Sequence, residues 1–120
     1  MIKMHAKITG DKEIQSKIAE LAKKNVAALR GVITKSVLVV EGRAKKTVPV
    51  LTGRLRASIT HEVNKEGAGY IGKVGTNVEY APAVEFGLKR SRAKPYLFPA
   101  MKESKGDIIR FLTNAIKAVK

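Results

Sequence analysis

An apolar stripe with helical spacing runs from just after Gly10-Asp11 to Lys46, and it sets the length scale of any fold this chain adopts. Ile14, Ile18, Leu21, Ala22, Leu29, Ile33, Val37, Val40 and Ala44 fall on one broad face, while Lys17, Lys23, Lys24, Arg30 and Lys35 lie mostly elsewhere. Asp11 is a fair N-cap, and Thr47-Val48-Pro49 ends the pattern, because the residue before a proline avoids the helical region. A helix over 11–46 is roughly 50 Å long at about 1.5 Å per residue. A compact domain of 120 residues is only about 35 Å across. Either the helix bends, with Gly31 the expected place at a cost of about 1 kcal/mol relative to Ala, or it overhangs and is covered by another subunit. Val37-Leu38-Val39-Val40 favours the overhang, since four successive apolar residues point all round a helix.

The remaining segments alternate between strand and helix signals. Ile2, Met4, Ala6 and Ile8 alternate with Lys3, His5, Lys7 and Thr9, which predicts a strand over 1–9. Residues 54–63 alternate again, with Leu55, Ala57, Ile59, His61 and Val63 on one face. After Gly67-Ala68-Gly69, Tyr70, Val74, Val78 and Tyr80 share a face, so 54–80 is expected to form a β-hairpin. Ala81–Phe86 fits one helical turn, with Pro82 near its start and Gly87 at its end. A basic loop is expected over 88–95, and Tyr96-Leu97-Phe98, bracketed by Pro95 and Pro99, reads as a short extended segment. Met101, Ile108, Ile109, Leu112, Ala115, Ile116 and Val119 predict a C-terminal helix over 100–119. The order implies one α+β domain over 1–120, an antiparallel sheet with a long N-terminal helix and a C-terminal helix packed on it.

Charge narrows the partners. The chain carries 24 Lys and Arg against 10 Asp and Glu, a net charge of +14. Both halves share it, +9 over 1–60 and +5 over 61–120, so no basic tail explains it. Two clusters stand out: Arg43, Lys45, Lys46, Arg54 and Arg56, and Lys89-Arg90-Ser91-Arg92-Ala93-Lys94. They fit a solvated surface, or contacts with nucleic acid or an acidic protein. Aromatic residues make up only 5% and none interleaves the clusters, which argues against a base-stacking platform. With 44% hydrophobic residues the chain is not a disordered tail. Without Cys it has no disulfide, thiolate metal site or Cys nucleophile. No apolar run approaches the ~20 residues of a membrane span. The N-terminus does not read as a signal peptide, so synthesis in the cytoplasm is expected.

Motifs for catalysis or cofactor binding are weak. Gly67-Ala68-Gly69-Tyr70-Ile71-Gly72-Lys73 matches G-x-x-x-x-G-K, but Val74 stands where a Mg²⁺-binding hydroxyl belongs and a strand follows instead of a helix. A hairpin turn explains it better. Ser58 and His61, three apart on the expected strand, point to opposite faces. His5 and His61 are isolated, so no metal site is expected. Glu79 and Glu85 could do acid–base work as a hydrolase pair, but more often such groups pair with Lys or Arg. Neither an enzyme activity, a cofactor nor a small-molecule substrate is expected. Charge alone leaves a small basic nucleic-acid-binding protein as the alternative.

Three blocks resemble, in order, those of a family of tailed bacteriophages: the head–tail connector, tail-completion or neck proteins like the tenth gene product of a lambdoid siphophage. They are Val48-Pro49-Val50-Leu51-Thr52-Gly53-Arg54-Leu55-Arg56-Ala57-Ser58-Ile59, then Val74-Gly75-Thr76-Asn77-Val78-Glu79-Tyr80-Ala81-Pro82-Ala83-Val84-Glu85-Phe86-Gly87, and Pro95-Tyr96-Leu97-Phe98-Pro99-Ala100 with Tyr96 where Phe is commoner. The resemblance implies a fold similar to that of tail-terminator proteins. It also implies a non-enzymatic virion protein at the head–tail junction, assembled in the host cytoplasm as a ring of identical subunits. Its partners would be its own copies, head-closure or connector proteins, and tail-tube or terminator proteins, with DNA nearby and no membrane. Ring closure needs two matching faces. One is expected to hold Arg54, Arg56 and the loop with Lys89, Arg90, Arg92 and Lys94; the other, Glu79 and Glu85. Tyr80, Phe86 and Tyr96 fit either core plugs or interface anchors. Thr52, Gly53 and Gly87 are expected to shape turns, Gly53 with positive φ.

Overall fold

A computed structural model describes residues 4–7, 12–48, 53–66, 69–87 and 92–118. Along the chain come β1 (Met4–Lys7), α1 (Lys12–Lys24), α2 (Val26–Thr47), α3 (Arg54–Ser58), β2 (Thr60–Glu66), β3 (Gly69–Thr76), α4 (Ala81–Phe86), α5 (Leu97–Glu103) and α6 (Lys105–Ala118). The strands form one antiparallel sheet in the order β1-β3-β2. The fold is α+β, with the N-terminal and C-terminal helices packed together and onto the sheet.

The long helix predicted over 11–46 is two helices, and the break falls at Asn25 rather than Gly31. Asn25 takes an extended conformation (φ −163°, ψ 101°), and its side-chain oxygen accepts the Ala28 N–H at 3.2 Å. An asparagine competes for backbone donors and so starts a helix better than it continues one. Lys23 and Lys24 close α1, where cations offset the negative end of the helix dipole. Gly31 stays helical and exposed.

α2 is the central element. It contacts β2 and β3 as well as α1, α5 and α6. Leu29, Val32, Ile33, Val37, Val40 and Ala44 are buried along it, and Ile14 and Leu21 of α1, Val74 of β3 and Ile108 and Leu112 of α6 complete the same core. The helix packs tightly on the sheet at Gly72. A Cβ there would stand 2.5 Å from Val37 Cγ1 and 2.9 Å from Ile33 Cγ2. The glycine that suggested a phosphate loop is therefore the place where helix and strand touch. Of the apolar run 37–40, only Leu38 is exposed, at 48%. Even with α1 and α2 separated, the molecule is long and narrow, 54 × 25 × 22 Å.

Three further expectations are corrected. The hairpin over 54–80 begins later, because Arg54–Ser58 is helical. Leu55 and Ile59 are buried and Ala57 is exposed. A pair four residues apart satisfies a helix as well as an alternating strand, and Gly53, at φ 77°, turns the chain into the helix. The segment 96–98 is not extended: α5 starts at Leu97 with Pro99 in its first turn, where a missing N–H costs nothing. The helix predicted over 100–119 is interrupted at Ser104, whose hydroxyl donates back to the Ala100 carbonyl at 2.7 Å. Arg43 of α2 fastens that joint. Its guanidinium donates to Ser104 Oγ (2.9 Å) and the Glu103 carbonyl (3.2 Å), and pairs with Asp107 at 2.6 Å.

Candidate docking surface

The charged residues expected to face a neighbouring copy are largely engaged within the chain. Arg54, at the start of α3, makes a two-pronged pair with Glu79: Nη1 to Oε1 at 3.3 Å and Nη2 to Oε2 at 3.2 Å. Its guanidinium also lies over the Tyr80 ring, 5.6 Å from the centroid. A backbone N–H of its own residue, and then the Arg54 hydrogen bond and charge, hold the Glu79 carboxyl below the ordinary carboxylate range. Arg56 donates from Nε to the Lys45 carbonyl at 2.8 Å, satisfying the C-terminal end of α2. Lys45 is 3.9 Å from Glu41. Arg54 and Glu79 thus belong to one intramolecular pair, not to two opposed faces.

Glu85 is corrected in the same sense. It is buried on α4, and its carboxylate caps α5 from outside the helix. Oε1 accepts the N–H groups of Tyr96 (3.1 Å) and Leu97 (2.9 Å), and Oε2 accepts that of Phe98 (3.3 Å). These are first-turn donors with no partner inside their own helix. Tyr96 is a core residue with no exposed surface, and among the described residues its hydroxyl has no hydrogen-bond partner. Burial first, then Glu85 and Tyr80, push that hydroxyl up to about 12. Tyr80 is half-buried against the core.

Around this capped joint the surface is apolar. Phe86, at the end of α4, is 63% exposed and Phe98, on α5, is 43% exposed. Their rings meet at 5.7 Å between centroids, tilted by 47°. With Pro95, Pro99, Lys102 and the edge of Glu85 they line an open groove of about 510 Å³. Gly87, at φ 81°, ends α4, and the Lys94 N–H donates to the Val84 carbonyl at 2.8 Å, seating the chain that enters the groove. Arg92 and Lys94 are exposed just before Pro95. Thr52, Lys89 and Arg90 lie outside the described residues. Phe98, Pro99 and Lys102 were not singled out from sequence. The available signal was helical phase, which puts Phe98 and Lys102 one turn apart on the same side of α5.

A second cavity, of about 310 Å³, lies beside β2 and β3 and is lined by Ser58, Thr60, His61, Glu62, Lys73, Gly75, Thr76 and Asn77. Ser58 Oγ donates to the Leu55 carbonyl and meets Thr76 Oγ1. His61 Nδ1 instead stands 3.3 Å from Glu41 Oε2, without hydrogen-bond alignment. Ser58 and His61 therefore do not pair, although the cause is not opposite faces of one strand, since Ser58 is helical. Among the described residues no group of His, Asp and Glu is arranged to hold a metal ion.

A family model described as "Bacteriophage HK97-gp10, putative tail-component" matches residues 12–87. The chain belongs to this family. It is a family of bacteriophage tail components, which points to a structural rather than an enzymatic protein and to a place in the virion. The match covers α1 to α4 and ends at Gly87, so it takes in the first two of the three blocks and stops short of the third at Pro95. No curated protein and no solved structure matches the chain.

Proposed function

We propose that the chain joins or completes the tail at the head–tail interface, working as a ring of identical subunits. The family match over 12–87 carries this reading. The shape suits it, because a body 54 Å long and less than half as wide offers extended flanks to neighbours. Among the described residues, exposed large apolar side chains offer contact points: Val26 and Leu38 on α2, and Phe86 and Phe98 at the groove. A joining subunit needs contacts of two kinds, one with its own copies and one with the component it joins. In this reading Leu38 meets the neighbouring copy, while Phe86, Arg92 and Lys94 face the adjoining component of the virion. Glu85 supports the groove from beneath, and the exposed Arg54–Glu79 pair lies on the surface.

Light scattering on the purified chain, alone and after mixing with isolated tail tubes, tests the assembly. A closed oligomer in either condition, weakened by Leu38→Asp, is the expected result. A strict monomer in both would contradict it.

A further inference from the structure

The charge around the Phe86–Phe98 groove specifies an occupant. Lys102 lies in the groove wall, and Arg92 and Lys94 lead into it through Pro95. All three are exposed, and among the described residues none has a carboxylate partner. Among the described lining residues the one acid, Glu85, is 3% exposed, and its oxygens accept three backbone N–H groups instead of facing the rim. An apolar floor with a cationic rim has the anatomy of a docking site whose aromatic anchors supply affinity and whose rim selects partners by charge.

We infer that this groove docks an acidic partner protein, through a segment with an aromatic or aliphatic anchor flanked by Asp or Glu. The inference rests on the reading of the chain as a joining subunit and names the partner of that contact. A second copy of this chain is the poorer match. It carries +14, and of its acids Glu41, Glu79, Glu85 and Asp107 are engaged internally, so its net charge opposes the cationic rim. Nucleic acid matches the charge but fits the floor less well, because the two rings pack against each other, tilted by 47°, rather than standing apart as successive stacking platforms.

Fluorescence anisotropy with the full chain tests the inference. The probe is a short labelled peptide of alternating Glu and Leu with a central Phe. The comparisons are the same peptide with Lys in place of Glu and a single-stranded thymidine oligonucleotide. The acidic peptide is expected to bind, and to weaken roughly tenfold or more both in the double variant Lys94→Glu, Lys102→Glu and in Phe86→Ser, Phe98→Ser. Circular dichroism melting checks that both variants fold, and the charge variant alters no packed side chain. Acidic-peptide binding that ignores both variants would overturn the inference. So would oligonucleotide binding that depends on Phe86 and Phe98, or self-association abolished by Phe86→Ser, Phe98→Ser. Light scattering on the same proteins separates the two proposals. Assembly without acidic-peptide binding defeats the docking inference alone. Acidic-peptide binding without assembly supports docking and defeats the ring.

Discussion

Gly72 and Gly31 show how one residue type carries opposite meanings in this chain. At Gly72 a methyl group would strike two β-branched side chains whose rotamers are stiff, so Gly72→Ala is expected to destabilise by about 1–3 kcal/mol. At Gly31 nothing lies within 4 Å of an added Cβ, so Gly31→Ala should stabilise by up to about 1 kcal/mol. Urea denaturation of the two variants checks both signs. The carboxylates separate in the same way. Glu85→Ala leaves three first-turn N–H groups without an acceptor and should cost on the order of 2–3 kcal/mol. Glu79→Ala removes a solvent-exposed pair and should leave the melting temperature nearly unchanged. Tyr96 gives a pH signature. Its folded-state hydroxyl titrates at about 12 against an ordinary 10.0, so the native state holds the proton more tightly. That stability is fully present below pH 10 and is lost as the pH rises toward 12, an effect on the order of 2 kcal/mol. Tyr96→Phe, which removes a buried hydroxyl without a partner, should be neutral or stabilising at pH 7 and should flatten the alkaline decline.

At the scale of elements, apolar periodicity made the long helices legible but read a strand into 54–58, where a spacing of four fits either element. The stripe from Ile14 to Ala44 named the core of α1 and α2, and Ile108 and Leu112 named that of α6. What escaped was set by capping. Asn25 breaks the first helix because its side chain accepts a backbone N–H, and Ser104 interrupts the last because Arg43 holds its hydroxyl from across the molecule. The first of these signals was local and readable, since Lys23-Lys24-Asn25 closes one helix and opens the next. The second is a long-range contact that no window of sequence contains. Pro95 and Pro99 misled because proline breaks a helix interior but suits a first turn, and the acceptor for that turn, Glu85, sits on another element. The candidate surface divided likewise: the residue types of Phe86, Arg92 and Lys94 marked them and they are exposed, whereas the Arg54–Glu79 pair and the capping role of Glu85 depend on how elements meet. Asn25→Ala is expected to cost about 1 kcal/mol, checked by chemical denaturation.

Over the whole molecule, a net charge of +14 does not describe the surface evenly. Arg43, Arg54 and Arg56 each bond to another element from the surface, so part of the first basic cluster is engaged within the chain. Of the second, Arg92 and Lys94 are exposed just before the apolar groove. The role proposed for this tail-component family member is to join head and tail, and the central test of that proposal is genetic. The gene is inactivated in the phage or prophage that encodes it, and the lysate is imaged by negative-stain electron microscopy, with and without the chain supplied in trans. The account predicts separate heads and tails that join when the wild-type chain is restored. Normally joined, infectious particles without the chain would contradict it.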